Sequence, residues 1–228
     1  MHGGILIVIP AYNEEQTIIQ AIRDLKVHGF REIIVVDDGS GDRTAELAEG
    51  EGIVLYRHVV NRGLGVALGT GIEAALRLGA EVIVTFDADG QHLAEDVPRL
   101  VEPILGKEAD VVIGSRTLDR AGMPFIRRVG NVGCNLITWA MFGVRTSDSQ
   151  SGLRAFSRKA AEALDLRSNE MEVSSEIFWE IKRNDLKFQE VPIRPIYTAY
   201  SLSKGQSLLG GLMMLRNLIW LWLRGWAR

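Results

Sequence analysis

Val82-Ile83-Val84-Thr85-Phe86-Asp87-Ala88-Asp89-Gly90-Gln91-His92 is the stretch on which the fold turns. Val82–Phe86 is an unbroken apolar, β-branched and aromatic run, the pattern of a strand covered on both faces of a sheet. It stops at Asp87 and Asp89, two carboxylates two residues apart, followed by a glycine. The same grammar occurs twice upstream. Ile5–Ile9 runs into Pro10-Ala11-Tyr12-Asn13-Glu14, and Ile33–Val36 runs into Asp37-Asp38-Gly39-Ser40. Ile53–Tyr56 and Val111–Ile113 read as further buried strands. Amphipathic periods around Glu15–Val27, Thr44–Glu49, Gly65–Leu78 and Glu95–Leu105 place helices between them. This alternation predicts an α/β fold, an open and mostly parallel sheet flanked by helices. In such sheets ligands lie beyond the carboxyl ends of the strands, where the polar motifs here fall.

The second half is less regular. Arg127–Phe142, Arg158–Leu164 and Met171–Arg183 read as helices, and Phe188–Ile193 as a strand stopped by Pro195. A chain of 228 residues with 46% hydrophobic content supports one substantial core. The expected organisation is one domain over 1–197 and an appended amphipathic segment over 198–228. A net charge of −3 argues against nucleic acid as a partner. The single cysteine, Cys134, excludes an internal disulfide and sits in an apolar helical context. A reducing, cytoplasmic location is expected.

The strand exits carry the candidate chemistry. Asp87 and Asp89 can turn toward one hard cation, and Gln91 offers a third oxygen. A divalent ion held there would neutralise charge on a diphosphate. The bland alternative is a pair of acids capping the next helix. Asp37 can accept from a nucleobase N–H, or the Asp37–Ser40 turn can simply cap the following helix. Tyr12 can lie against a base or ribose, and Glu14 can reach hydroxyls. His92 is expected to cap or pack beside the acids rather than bind a cation that prefers oxygen. Glu172 and Glu176 can touch a sugar hydroxyl or cap their helix. Arg116, Arg127, Arg128, Arg145 and Arg154 fall in a region whose nearby acids are Asp119 and Asp148, a composition suited to bidentate capture of a phosphate. An ionised phosphate needs little general-base help, so Asp148 would orient such an acceptor. Toward a sugar hydroxyl it would be the leading base.

In order and spacing, Ile9–Glu14, Val36–Ser40, Asn61-Arg62-Gly63-Leu64-Gly65, Phe86–His92, Ile113-Gly114-Ser115-Arg116 and Asp148-Ser149-Gln150-Ser151-Gly152-Leu153-Arg154 resemble the motifs of family 2 glycosyltransferases. The subgroup resembled is that of dolichyl-phosphate mannose synthase and its bacterial and archaeal relatives, over about Leu6 to Lys204. The resemblance implies a GT-A fold, Mg²⁺ or Mn²⁺ as cofactor and inversion at the anomeric carbon. It implies Pro10, Tyr12, Glu14 and Asp37 for the donor nucleotide, and Asp87, Asp89 and Gln91 for metal and diphosphate. Arg116, Asn131, Lys204 and one of Arg127 or Arg128, with Arg128 preferred, are implied for the acceptor phosphate. Asp89, Asp148 and Arg116 are the catalytic candidates. The family's glycine loop usually reads N-x-G-K-G, and Leu64 stands here at the lysine position.

The implied substrates are a nucleotide diphosphate sugar and a polyprenyl phosphate. The tail fits that acceptor. After Glu190 the chain has no acidic residue, and Arg216, Arg224 and Arg228 are interleaved with leucines and with Trp220, Trp222 and Trp226. Arg216 would cost about 2.5–3.5 kcal/mol at a bilayer centre, so a helix lying in the interface fits better than a span. The expected setting is peripheral, on the cytoplasmic face of a membrane. The alternative is a helix that docks on the domain or on a second copy of the chain.

Overall fold

The computed structural model describes residues 4–118, 125–168, 172–194 and 196. Strands and helices alternate as β1 (Ile5–Ala11), α1 (Ile18–Val27), β2 (Ile33–Asp37), α2 (Thr44–Glu49), β3 (Val54–Arg57), α3 (Leu64–Arg77) and β4 (Val82–Thr85). A 3-10 turn at Ala94–Asp96 leads into α4 (Val97–Leu105), then β5 (Val111–Ser115), α5 (Phe125–Phe142), β6 (Arg154–Ser157), α6 (Arg158–Ala163), α7 (Val173–Arg183) and β7 (Phe188–Pro192). The strands form one sheet in the order β3-β2-β1-β4-β6-β5-β7. Every neighbouring pair is parallel except those made by β6, which runs antiparallel between β4 and β5.

Why the sheet is buried on both faces is visible in β1. Ile5, Ile7 and Ile9 pack with Ile18, Ile22 and Leu25 of α1 and Val97, Leu100 and Val101 of α4. Leu6 and Val8, pointing the other way, pack with Leu68, Ile72 and Ala75 of α3 and Ile177 and Phe178 of α7. Alternate residues of one strand thus feed two cores. Each fully buried aliphatic side chain contributes about 1.5–3 kcal/mol.

The mostly parallel sheet and its helices follow the sequence reading, with three corrections. The Ile53–Tyr56 run was expected to be buried, but β3 lies at the sheet edge with Val54 and Tyr56 exposed. α1 starts at Ile18 rather than Glu15, and side chains of the neighbouring turn take the amides of Asn13, Glu14 and Glu15 ahead of it. Ser40 Oγ accepts from Asn13 N, Thr44 Oγ1 from Glu14 N, and Asp42 Oδ2 from Glu15 N, at 2.7–3.1 Å. β6 was not foreseen, since Arg154-Ala155-Phe156-Ser157 contains no apolar run. Its Ala155 nevertheless pairs with both Val84 and Val112, so the strand closes the gap between two halves of the sheet.

Among the described residues no helix is long and apolar enough to cross a membrane. The 198–228 segment, with Lys204, lies outside the described residues, as do Asp119 and the side chains of Arg127 and Arg128.

Candidate active site

The carboxyl ends of β1, β2, β4 and β5 share one edge of the sheet. Because β6 is antiparallel, the loop that precedes it joins that same edge. The crevice therefore has a flank at β1 and β2, a centre at β4, and a flank at β5.

On the first flank, Pro10 is buried in β1, Tyr12 is 46% exposed, and Glu14 is buried with its Oε2 accepting the Thr17 hydroxyl at 2.9 Å. Asp37 is fully buried. Its Oδ1 accepts from Ser40 N at 3.3 Å, and its Oδ2 lies 3.2 Å from Arg57 Nε without hydrogen-bond alignment. Asp38, its neighbour, has a different task. It accepts from Arg62 N at 3.0 Å and Gly63 N at 2.7 Å and meets His58 Nδ1 at 2.6 Å. His58 Nε2 in turn meets Thr70 Oγ1 at 3.0 Å, which ties the clamp to α3. The clamped loop lies directly on the β2 turn, since a Cβ at Gly39 would sit 2.6 Å from the Val60 carbonyl carbon, and Gly39 has φ +71°. Leu64, at the position where a lysine is usual, packs into the α3-side core.

At the centre, Asp87 Oδ2 meets His92 Nε2 at 3.0 Å, and the His92 ring packs edge-on against Phe86. His92 thus supports the acid from beneath, as the sequence suggested. Burial pushes the Asp87 carboxyl up, but His92, Arg154 and Arg116 outweigh it and leave the group below its usual range. Asp89 goes the other way. Burial and then the Asp87 charge raise it, and the opposing pull of His92 and the Gln91 hydrogen bonds does not offset them. Gln91 donates from its backbone N to Asp89 Oδ1 at 3.0 Å and from its side-chain amide to Oδ2. Gly152, from the loop before β6, lies against Asp87, and a Cβ there would fall 2.0–2.4 Å from the carboxylate.

The β5 flank is an ion-pair network. Arg116 donates to Asp148 from Nε at 2.7 Å, from Nη2 at 2.8 Å and from its backbone N at 3.0 Å. Asn131 Nδ2 adds a fourth donor at 2.7 Å. Burial would raise the Asp148 carboxyl; Arg116 first and then Asn131 reverse this and hold it below its ordinary range. Asp148 is wholly enclosed. It was expected to orient an acceptor directly, and it is placed instead to orient Arg116 and Asn131. Glu190 of β7, which the sequence reading passed over, fixes this loop by accepting from Thr146 Oγ1 at 2.7 Å, Ser147 N at 2.9 Å and Asp148 N at 3.3 Å. A lone acid inside a strand was its only signal.

Of the expected arginine cluster, Arg116 and Arg154 act electrostatically on each other and on Asp87, and the side chains of Arg127 and Arg128 lie outside the described residues. Arg154 is buried under the edge, donates to Ser174 Oγ at 2.9 Å and leaves Nε unpartnered. Burial lowers it to about 10 even though Asp87 and Asp148 favour its charge. It is not a surface phosphate ligand. Arg145 stacks over Trp139 at 5.9 Å. Glu176 does not face the crevice either, because its carboxylate accepts from Arg167 N and Ser168 N at 2.7 and 2.8 Å. Burial raises the Cys134 thiol, consistent with a packing role. Among the described residues no three His, Cys, Asp or Glu side chains form a ready metal cage.

The family model described as Glycosyl transferase family 2 matches residues 6–165. The UDP-N-acetylglucosamine–dolichyl-phosphate N-acetylglucosaminyltransferase of Methanococcus voltae is 38% identical, covering 95% of each chain. The polyprenol monophosphomannose synthase of Mycolicibacterium smegmatis is 32% identical, over 82% of this chain and 76% of that protein. Among solved structures, glucosyl-3-phosphoglycerate synthase from Mycobacterium tuberculosis, in complex with Mn²⁺, uridine diphosphate and phosphoglyceric acid, superposes with a TM-score of 0.74 at 23% identity. That match covers 94% of this chain and 75% of the other. A parallel sheet interrupted by one antiparallel strand, acids at its carboxyl edge and a family model spanning most of the chain lead to one assignment: this chain is a glycosyltransferase of GT-A-like fold and belongs to glycosyl transferase family 2.

Proposed function

We propose that the protein transfers a sugar from a nucleotide diphosphate sugar to the phosphate of a polyprenyl lipid, with inversion at the anomeric carbon. The supporting observation is the chemical asymmetry of the edge. Its centre holds two acids, one raised by burial and by the charge of the other, and its β5 flank holds a guanidinium aimed by a buried carboxylate. An oxygen-rich pair at the open end of a strand, in which one acid is raised by burial and by its neighbour's charge, fits a hard divalent cation. Asp87 and Asp89, with the side-chain oxygen of Gln91, would hold Mg²⁺ or Mn²⁺, and the ion would supply charge neutralisation at the diphosphate. Pro10, Tyr12, Glu14 and Asp37 serve the nucleotide. Arg116, Asn131, Lys204 and an arginine at the start of α5, Arg127 or Arg128, serve the acceptor phosphate. That phosphate is already ionised and attacks without a base, which suits a site where Asp148 is saturated with donors and enclosed. A hydroxyl acceptor would require Asp148 to be free, so the network disfavours it. The names of the dolichyl-phosphate and polyprenol relatives point the same way. The basic, tryptophan-rich segment 198–228 is assigned to the membrane interface, where each cation near anionic lipid contributes about 1 kcal/mol.

The test is to supply the full chain with Mn²⁺, a panel of sugar nucleotides and a short-chain polyprenyl phosphate. Nucleoside diphosphate release and the glycosylated lipid phosphate are then followed by mass spectrometry. A chelator-sensitive lipid product is expected. Transfer to a glycan hydroxyl with the lipid untouched would overturn the acceptor, and hydrolysis or binding without transfer would make the domain a silent binder. Deletion after Gln206 should release the protein from anionic vesicles. Unchanged vesicle binding would sink the interfacial role.

A further inference from the structure

Arg57 is the last residue of β3, and in the parallel register it stands directly beside Asp37, the last residue of β2. The two side chains meet at 3.2 Å, Nε to Oδ2, without the alignment of a hydrogen bond. Asp37 Oδ2 is thereby a buried acceptor with no donor, an arrangement that is costly unless something else satisfies it. Oδ1 is already engaged by the Ser40 amide. Arg57 is 60% exposed, and among the described residues its guanidinium makes no other ion pair or hydrogen bond. β3 is the outermost strand, so the arginine can slide along the sheet edge by giving up its contact with Asp37 alone. One acceptor and one set of movable donors thus lie side by side at the donor end of the crevice.

We propose that Arg57 selects the base of the donor, making the site specific for a pyrimidinedione, uracil or thymine. The inference rests on the nucleotide role proposed above for Asp37. A uracil edge presents carbonyl, imide N–H, carbonyl. Asp37 Oδ2 accepts the imide N–H, and Arg57 moves off that oxygen to donate to a flanking carbonyl. Guanine presents carbonyl, N–H and an amino group, and the amino group sets a donor against the Arg57 guanidinium where uracil has its second carbonyl. Cytosine and adenine present a ring-nitrogen acceptor to the carboxylate, which repels it. Selectivity then comes from one fitted edge and from unmet partners in the others.

The experiment is calorimetric titration of the full chain, in Mn²⁺, with UDP, GDP, CDP and ADP. Wild type, Arg57→Ala and Arg57→Lys are compared, with melting temperature as the fold control. Wild type should bind UDP at least about tenfold more tightly than GDP, the worth of one charge-assisted hydrogen bond. Arg57→Ala should weaken UDP by about tenfold and GDP by less than about twofold, so the preference collapses. Arg57→Lys, which keeps the charge and loses the planar fork, should restore part of it. A wild-type preference for GDP, an unchanged ratio in Arg57→Ala, or an equal loss for all four nucleotides would each overturn the proposal. If wild type binds no nucleoside diphosphate, the proposed function falls with it; if it binds but position 57 does not alter the ratio, only the base reading falls.

Discussion

At the β2 exit, Asp38 is satisfied by two main-chain amides and a histidine, whereas on the β5 flank Asp148 is satisfied by the Arg116 guanidinium, the Asn131 side-chain amide and a single main-chain amide. The first arrangement fixes a loop chiefly with backbone donors. The second stores a full charge pair out of water, so its strength depends on both partners staying ionised. Between them, Asp89 accepts, among the described residues, only from Gln91, and burial and the Asp87 charge raise its carboxyl. The contrast separates carboxylates that build the crevice from the one left over for a ligand.

The sharpest way to break this contrast is at its centre. Asp89→Ala should lower turnover on the order of 10⁴-fold, because it removes a proposed metal ligand, while circular dichroism and melting stay near wild type. Near-normal turnover would move Asp89 into the same class as Asp38. On the β5 flank, Arg116→Ala should cost about 3–5 kcal/mol of stability at neutral pH by stranding a buried carboxylate. The sign with pH follows from the direction of the shift. In wild type Asp148 is depressed, so its stabilisation is present above the ordinary carboxylate range and is lost as pH falls through the lowered value. Without Arg116, burial raises the carboxyl, and stability is instead lost as pH rises through the raised value. Urea titrations across pH should therefore show the gap between the two proteins widest at neutrality and closing in acid; a constant gap would refute the pairing.

Gly152→Ala should cost about 1–3 kcal/mol by driving a methyl into the Asp87 carboxylate, and should raise the Mn²⁺ concentration needed for activity. Unchanged metal dependence would detach that loop from the centre. The mildest effect is expected at Thr70→Val, which removes the hydroxyl at His58 Nε2. About 1 kcal/mol should be lost, with the donor KM raised more than kcat is lowered. A pure kcat effect would show that the clamp does not position the donor loop.

The parallel half was legible because its strands are continuous apolar runs and each motif follows one directly. Asp37, Asp87 and Asp89 could be placed at strand ends from local pattern alone. What failed was long-range. Arg154 has the composition of a phosphate ligand, but a four-residue strand with no apolar run carries it under the sheet. The Asp148–Arg116 pair joins residues 32 apart, and Glu190 reaches Asp148 from 42 away, so neither partnership leaves a periodic trace. Ile53–Tyr56 shows the reverse error: β propensity marked the strand and could not tell that it borders the sheet.

The reversed direction of β6 has an evolutionary consequence. A strand inserted against the grain delivers the segment before it, residues 143–153, to the crevice, although the flanking strands deliver the segments after them. That segment can change length and composition while β1, β2 and β4 keep their register. Variation there would therefore act on the Arg116–Asp148 pair and, through Gly152, on Asp87, while the β1 and β2 flank stays fixed.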